Sequence, residues 1–286
     1  MSIEDGTHPA AFPPRSLIVT LYGLYAREQE GWFSVAALIR LMAALDVDEP
    51  AVRSSISRLK RRQILTSRRV QGVAGYALSP AASSLLEEGD RRIFRAPRAD
   101  PGEGWVLVVF SVPETERSSR HTLRSLLTGL GFGTVASGVW VAPAHLDQET
   151  RDVLTRAGLD RYVTLFRADF RAFGDVSEAV HKWWDLDGLQ CMYDHFISSH
   201  APLASKWRRR RKTVGSEAFA DYARTLTAWR RLPYLDPGLP AEALPPGWSG
   251  ANAADLFFSL QRRLAEPAHQ FVDQTRVTDP ILIGQM

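Results

Sequence analysis

DEPAVRSSISRLKRRQIL, residues 48–65, carries two patterns at once. Asp48 suits a helix N-cap, and Glu49 and Pro50 suit the first turn by charge and by fixed backbone angle. Val52, Ile56, Leu59 and Gln63 then fall on one face at about 100° per residue, while Ser54, Ser57, Arg58 and Arg61 fall on the other. The second pattern is charge. Arg53, Arg58, Lys60, Arg61, Arg62, Arg68 and Arg69 follow one another with no acidic residue between them. An apolar stripe that packs inward would therefore turn a Ser and Arg face outward. Such a face suits a polyanion; a solvated basic surface is the plainer alternative.

The flanking sequence favours the polyanion. Upstream, RSLIVTLYGLYAREQ carries Leu17, Leu21 and Leu24 at helical spacing, and a helix there is expected to end near Gly31. FSVAALIRLMAALDV follows, with Ser34 as N-cap and Leu38, Met42 and Leu45 one turn apart. Downstream, ILTSRRVQGVAGYALS is two short runs about a Gly-containing turn, a β-hairpin with Arg68 and Arg69 on one arm and Tyr76 on the other. Three helices and a hairpin are the order of a winged helix-turn-helix. In that geometry the third helix enters the major groove. Ser54, Ser57, Arg58 and Arg61 are then expected at base edges, and Arg53, Lys60, Arg62, Arg68 and Arg69 at phosphates or the groove met by the wing.

After a connecting helix in SPAASSLLEEGDRRIFR and a Pro- and Gly-rich linker, APRADPGEG, the composition changes. GWVLVVFSV has the apolar density of a buried strand, ERSSRHTLRSLLTGLG is helical, FGTVASGVWVAP is a strand pair, LDQETRDVLTRAGL a helix and RYVTLFRADF a strand. The order βαββαβ predicts a ferredoxin-like domain, which commonly serves for dimerisation. Beyond Phe173 the chain is mainly helical. KWRRRRK, residues 206–212, is either an exposed loop or a helix end, and YLDPGLPAEALPPGW is an ordered, Pro-rich turn region. The expected fold class is α+β. Residues 1–14 are expected to form a disordered leader, 15–96 the winged helix-turn-helix, 104–173 the ferredoxin-like dimerisation domain and 174–286 a C-terminal helical domain for effector binding or dimerisation.

Composition excludes several classes. The 286 residues are 45% hydrophobic and 23% charged, as in a soluble globular chain, and the formal net charge is only +3, so the placing of charge matters more than its total. No segment approaches the roughly 18 uninterrupted apolar residues of a membrane span, and a single cysteine, Cys191, fits a reducing compartment, so a cytoplasmic protein without membrane partners is expected. There is no phosphate-binding Gly loop, nucleophile elbow or zinc-protease helix, so neither an enzyme nor a cofactor is expected. Asp185, Asp187, Asp194, His195 and His200 could gather at a metal, but solvated acids and surface histidines are the simpler reading, and no metal site is assigned. Trp183 and Trp184 are adjacent, so at most one is expected to face a given cavity. An aromatic small-molecule effector would find its lining in Trp184, Tyr193 and Trp229, with Arg230 and Arg231 available for phosphates.

Laid end to end, PRSLIVTLYG, AVRSSISRLKRRQIL, YALSPAASSLLEEGDRRIF, GWVLVVFSVPE, LGFGTVASGVWVAP and AWRRLPYLDPGLPAEALPPGW resemble the PaaX-like transcriptional repressors of phenylacetate catabolism, from about Pro14 to Asp273. The resemblance implies a homodimer that binds a palindromic operator in double-stranded DNA. It also implies release by a small-molecule effector, an aryl-acyl-CoA such as phenylacetyl-CoA. The central domain is similar to a small CRISPR-associated nuclease subunit, which makes a metal-dependent nuclease the alternative function. In those relatives an Asp at the end of the first strand is the expected metal ligand, whereas this chain has Ser111 in FSVPE. Where many relatives carry a His two residues before the Trp of WRRLPYLDPGLP, this chain has Thr227.

Overall fold

The computed structural model describes residues 12–27, 31–95, 98–171 and 175–277; the leader expected over residues 1–14 lies mostly outside them. The chain is mixed α+β and divides into two compact units. One takes residues up to Asp90, Phe196–Trp229 and the chain from Asn252; the other takes Arg91–His195 and Arg230–Ala251.

The first unit begins with helix α1 (Pro14–Leu21), which continues as a wider π turn over Tyr22–Ala26. The helix expected to reach Gly31 thus has its last described turn earlier, and residues 28–30 lie outside the description. Strand β1 (Trp32–Ser34) leads into helix α2 (Val35–Ala43), whose Ser34 cap accepts a hydrogen bond from the Ala37 amide at 2.9 Å. Helix α3 (Glu49–Arg61) is capped by Asp48, which accepts from the Ala51 amide at 2.8 Å. Gln63 does not extend its apolar face: it sits beyond the helix end at φ 56°, in the left-handed region, and is exposed. Strands β2 (Leu65–Val70) and β3 (Val73–Leu78) form the expected hairpin, closed by Gln71 and Gly72 at φ 49° and 83°. Two positive φ angles in a two-residue loop are the geometry that matches strand twist. The sheet order β1-β3-β2 adds a strand the sequence did not suggest, since Trp32, Phe33 and Ser34 are too few to show an alternation.

The same unit takes in sequence-distant helices: α8 (Leu186–Arg209) from Phe196 onward, α9 (Gly215–Trp229), and α11 (Gly250–Val277) from Asn252. Trp207, Phe219, Leu260 and Leu264 are buried in one core with Leu17, Ile18, Tyr25, Leu41, Ile56 and Leu59. Polar clamps fix the same contacts. Arg224 on α9 donates to the Leu45 carbonyl at 3.2 Å and to Asp46 at 2.7 Å, in the turn between α2 and α3. Arg276 donates to the Tyr25 carbonyl and lies 4.3 Å over the Phe33 ring, while Arg40 donates to the Thr275 carbonyl. Thr227, the departure noted above, is buried and shares a 2.8 Å hydrogen bond with Thr20. Replacing Asp48 with Ala should cost about 1 kcal/mol of stability by leaving α3 without its cap, measurable as a shift in the urea midpoint at constant slope.

The second unit is built on the antiparallel sheet β5-β6-β4-β7. Its strands are β4 (Trp105–Phe110), β5 (Gly133–Ala136), β6 (Val139–Pro143) and β7 (Val163–Ala168), with α5 (Arg117–Gly129) and α6 (Asp147–Arg156) in the crossovers. Val106 and Val108 point to one face and pack with Leu123, Leu127, Trp140 and Leu154. Trp105 and Val141 point to the other, where Val180, Leu186, Leu239 and Ala243 meet them. Helix α4 (Pro80–Arg95) ends in this unit with Arg92 buried: its guanidinium pairs with Glu149 at 3.1 Å, donates to the Leu130 carbonyl at 3.0 Å and lies over the Tyr234 ring. The mainly helical stretch beyond Phe173 begins as two helices, α7 (Val176–Trp183) and α8, because Trp184 is extended and Asp185 accepts from the Gly188 amide. The Pro-rich turn region is ordered as expected, with the short helix α10 (Leu232–Leu235) and Asp236 fastened to Tyr193 and Arg98.

Candidate nucleic-acid interface

Helix α3 buries Val52, Ser55, Ile56 and Leu59 and leaves Arg53, Ser54, Ser57, Arg58, Lys60 and Arg61 exposed. One-sidedness in the sequence is therefore one-sidedness in space. Among the described residues, the side chains of Ser54, Ser57, Arg58, Arg61 and Arg62 make no hydrogen bond or ion pair. Arg53 differs, because Glu49 one turn earlier holds it at 2.6 Å. Lys60 leans over the Tyr76 ring on β3, 5.6 Å from its centroid, which links the helix to the hairpin. Arg68 and Arg69 are exposed on β2; the Arg68 carbonyl accepts from the Trp32 indole at 3.2 Å, and Arg69 donates to the Gly72 carbonyl at 3.0 Å across the hairpin turn. The structure thus brings all nine cationic and hydroxyl residues to the exposed surface of one unit. Basic residues in the last turn also complement the helix dipole, so the face costs the helix little.

The candidate effector residues lie among different neighbours. Trp184 donates to the Gly131 carbonyl at 2.8 Å and packs against Trp105. Trp183 also meets the Trp105 ring, edge-on, since the helix ends at Trp183 and the next residue is extended. Tyr193 donates to Asp236 at 2.8 Å and meets Trp248 edge-on, and burial pushes its phenol well above the ordinary range. Trp229 is buried and stacks on Phe257 at 4.8 Å. Arg230 is half-buried, where desolvation lowers its pKa, and Arg231 is exposed. A cavity of about 250 Å3 in the second unit is walled by Trp105, Phe170 and Val176 but also by Asp100, Glu103, Asp169 and Glu242. Four carboxylates there repel phosphate groups, so this cavity does not suit the nucleotide end of a thioester.

Ser111 stands where β4 ends, its amide donating to the Tyr162 carbonyl. Asp194 accepts from Ser249 at 2.5 Å, and His200 stacks on Phe196. Among the described residues no three His, Cys, Asp or Glu side chains are grouped to hold a metal ion, and no helix is long and apolar enough to cross a membrane.

A mixed α+β chain with an exposed cationic helix face on one unit and a four-stranded antiparallel sheet in the other is the class of protein defined so far. The comparisons narrow it. Residues 13–82 match the family described as PaaX-like protein, residues 98–180 the PaaX protein central Cas2-like domain, and residues 184–274 the PaaX-like protein C-terminal domain. The chain belongs to the PaaX-like family. It is similar to the transcriptional repressor PaaX of Escherichia coli (strain K12), with 27% identity over 276 residues that span 95% of this chain and 87% of the relative. Its fold is similar to that of uncharacterized protein Rv0674 from Mycobacterium tuberculosis, at a TM-score of 0.59 and 23% identity, covering 91% of this chain and 98% of the other.

Proposed function

We propose that this chain is a ligand-responsive transcriptional repressor that binds a near-palindromic operator as a homodimer. Residues 15–96 act as a winged helix-turn-helix, with α3 in the major groove and the β2–β3 hairpin as the wing. The observation that carries the reading is the α3 face itself: Ser54, Ser57, Arg58 and Arg61 are exposed and without partners among the described residues. Side chains of this kind, left unpaired on a helix that fits the groove, supply donors for base edges and phosphates. Family membership and the similarity to a repressor support the regulatory role. The strand order β5-β6-β4-β7 supports a ferredoxin-like reading of residues 104–173, to which we assign dimerisation. Dimer symmetry then predicts operator half-sites about one helical turn, or a multiple, apart.

The effector is an aryl-acyl-CoA, a class that rests on the family resemblance together with the aromatic and cationic residues of 174–286. It releases DNA only by binding the DNA-incompetent state better than the competent one. The test is retention of fragments from the protein's own upstream region at about 150 mM salt against excess random DNA, repeated with a panel of aryl-acyl-CoA thioesters. Selective retention and release by one thioester are the expected result; binding abolished by random DNA would overturn the reading. On a retained fragment, Arg58→Ala should cost about 1–3 kcal/mol and relax specificity at one position. Arg68→Ala should weaken binding to all sequences and lower the salt slope by about one.

A further inference from the structure

The cluster at residues 206–212, KWRRRRK, plays no part in the interface above. Helix α8 ends at Arg209, so the cluster straddles a helix C-terminus, and the structure divides it by role. Lys206 and Arg210 are committed internally. Lys206 lies 3.1 Å from Asp221 and 3.5 Å from Glu217, and Arg210 forks onto both Glu217 oxygens at 2.5 and 2.9 Å. That hydrogen bonding pulls Glu217 down to about 2. The two cations flank the Trp207 ring at 5.3 and 5.2 Å, and the buried indole donates to Asp221 at 2.8 Å. Arg263 donates to the Arg210 carbonyl at 2.8 Å, which fastens the chain just past the helix end.

The other four cations are left over. Arg208, Arg209, Arg211 and Lys212 are exposed. Arg208 donates only to Ser205, at 3.2 Å, and the other three side chains make no hydrogen bond or ion pair among the described residues. Four uncompensated like charges within five residues repel one another, and a helix C-terminus offsets only about half a charge. We propose that Arg208, Arg209, Arg211 and Lys212 form a second DNA-binding surface that grips backbone phosphates flanking the segment read by α3. The inference rests on the operator-binding reading.

Three features support this partner. The surface belongs to the same compact unit as α3. Its backbone is held at Trp207 and at Arg210, on both sides of Arg208 and Arg209 and just before Arg211, so less ordering entropy is lost on binding. Its distance also fits: Gly215 to Arg224 along α9 spans about 13 Å, and Arg224 holds Asp46 in the turn before α3. The Cα of Lys212 therefore lies within roughly 24 Å of that of Arg224, less than the ~34 Å of one duplex turn.

The test uses the full-length protein and the duplex it recovers from a random pool, once trimmed to the selected sequence and once extended by about one turn on each side. In the quadruple Ala variant, the slope of log K against log salt on the extended duplex should fall by about 3.6, and on the trimmed duplex it should barely change. The quadruple variant with Lys at all four positions should keep the slope, which separates charge from folding damage. Wild-type recovery of one sequence with an unchanged slope in the Ala variant would overturn this inference alone, and would turn attention to an acidic protein or an anionic lipid surface. Failure of the wild-type protein to recover any sequence would overturn the operator reading and this inference with it.

Discussion

A chain ending at Ala96 is expected to show no cooperative thermal unfolding and no sequence-selective DNA retention, although it contains every residue assigned to the winged helix-turn-helix. The reason lies in the core. Trp207, Phe219, Leu260 and Leu264 pack into the same buried cluster as Leu17, Ile18, Tyr25, Leu41 and Ile56. Tyr25 alone meets the Phe219 ring at 6.0 Å and the His269 ring at 4.9 Å. Burial of a large apolar side chain contributes about 1.5–3 kcal/mol. Uncovering apolar surface equal to four of them costs about 6–12 kcal/mol, comparable to the 5–15 kcal/mol of net stability typical of a whole domain. The truncated chain also loses Arg224 from the α2–α3 turn and Arg276 from Tyr25 and Phe33. Circular dichroism on heating checks the first expectation, and competition against random DNA the second. A sharp transition near the full-length midpoint would mean that residues 15–96 hold their own core and the distant helices only decorate it.

That core explains which features were legible in the sequence. Periodicity and caps identified α2, α3 and the hairpin, because Ser34, Asp48 and the Gln71-Gly72 turn are local signals with local causes. Solvent exposure of Arg58 and Arg61 followed from the same 3.6-residue period that buries Val52 and Ile56. Three features were not legible. The end of α7 at Trp183 depends on Asp185 competing for backbone donors, and neither of the two indoles reports it. Division of the six cations of 206–212 into paired and unpaired sets depends on Glu217 and Asp221 lying on another helix. Nor does composition reveal that Phe196–Trp229 and the chain from Asn252 group with the first 90 residues: each helix shows only that it has an apolar face, and the partner of that face is a long-range fact.

In the second unit, Glu149→Ala is expected to cost about 3 kcal/mol, more than any other single side-chain removal considered above is expected to cost in stability. Arg92 is 5% exposed, and its charge is compensated by Glu149, the Leu130 carbonyl and the face of Tyr234. Removing the carboxylate leaves a guanidinium out of water with one carbonyl and one ring, and an uncompensated buried charge is the expensive outcome of breaking such a pair. The pair itself need not stabilise the fold. Desolvation of Arg92 and Glu149 works against their attraction, so the double variant Arg92→Met/Glu149→Leu should recover most of the loss, and urea midpoints at constant slope would show it. The contrast has a functional consequence. Leu130 precedes Gly131, whose carbonyl accepts from Trp184, and Tyr234 lies in the segment with Arg230 and Arg231. If the double variant regains stability yet binds DNA without release by the thioester, Arg92 and Glu149 serve to position the residues proposed for the effector. If stability and release return together, the pair serves the fold alone, and the proposed effector contacts lie with other side chains.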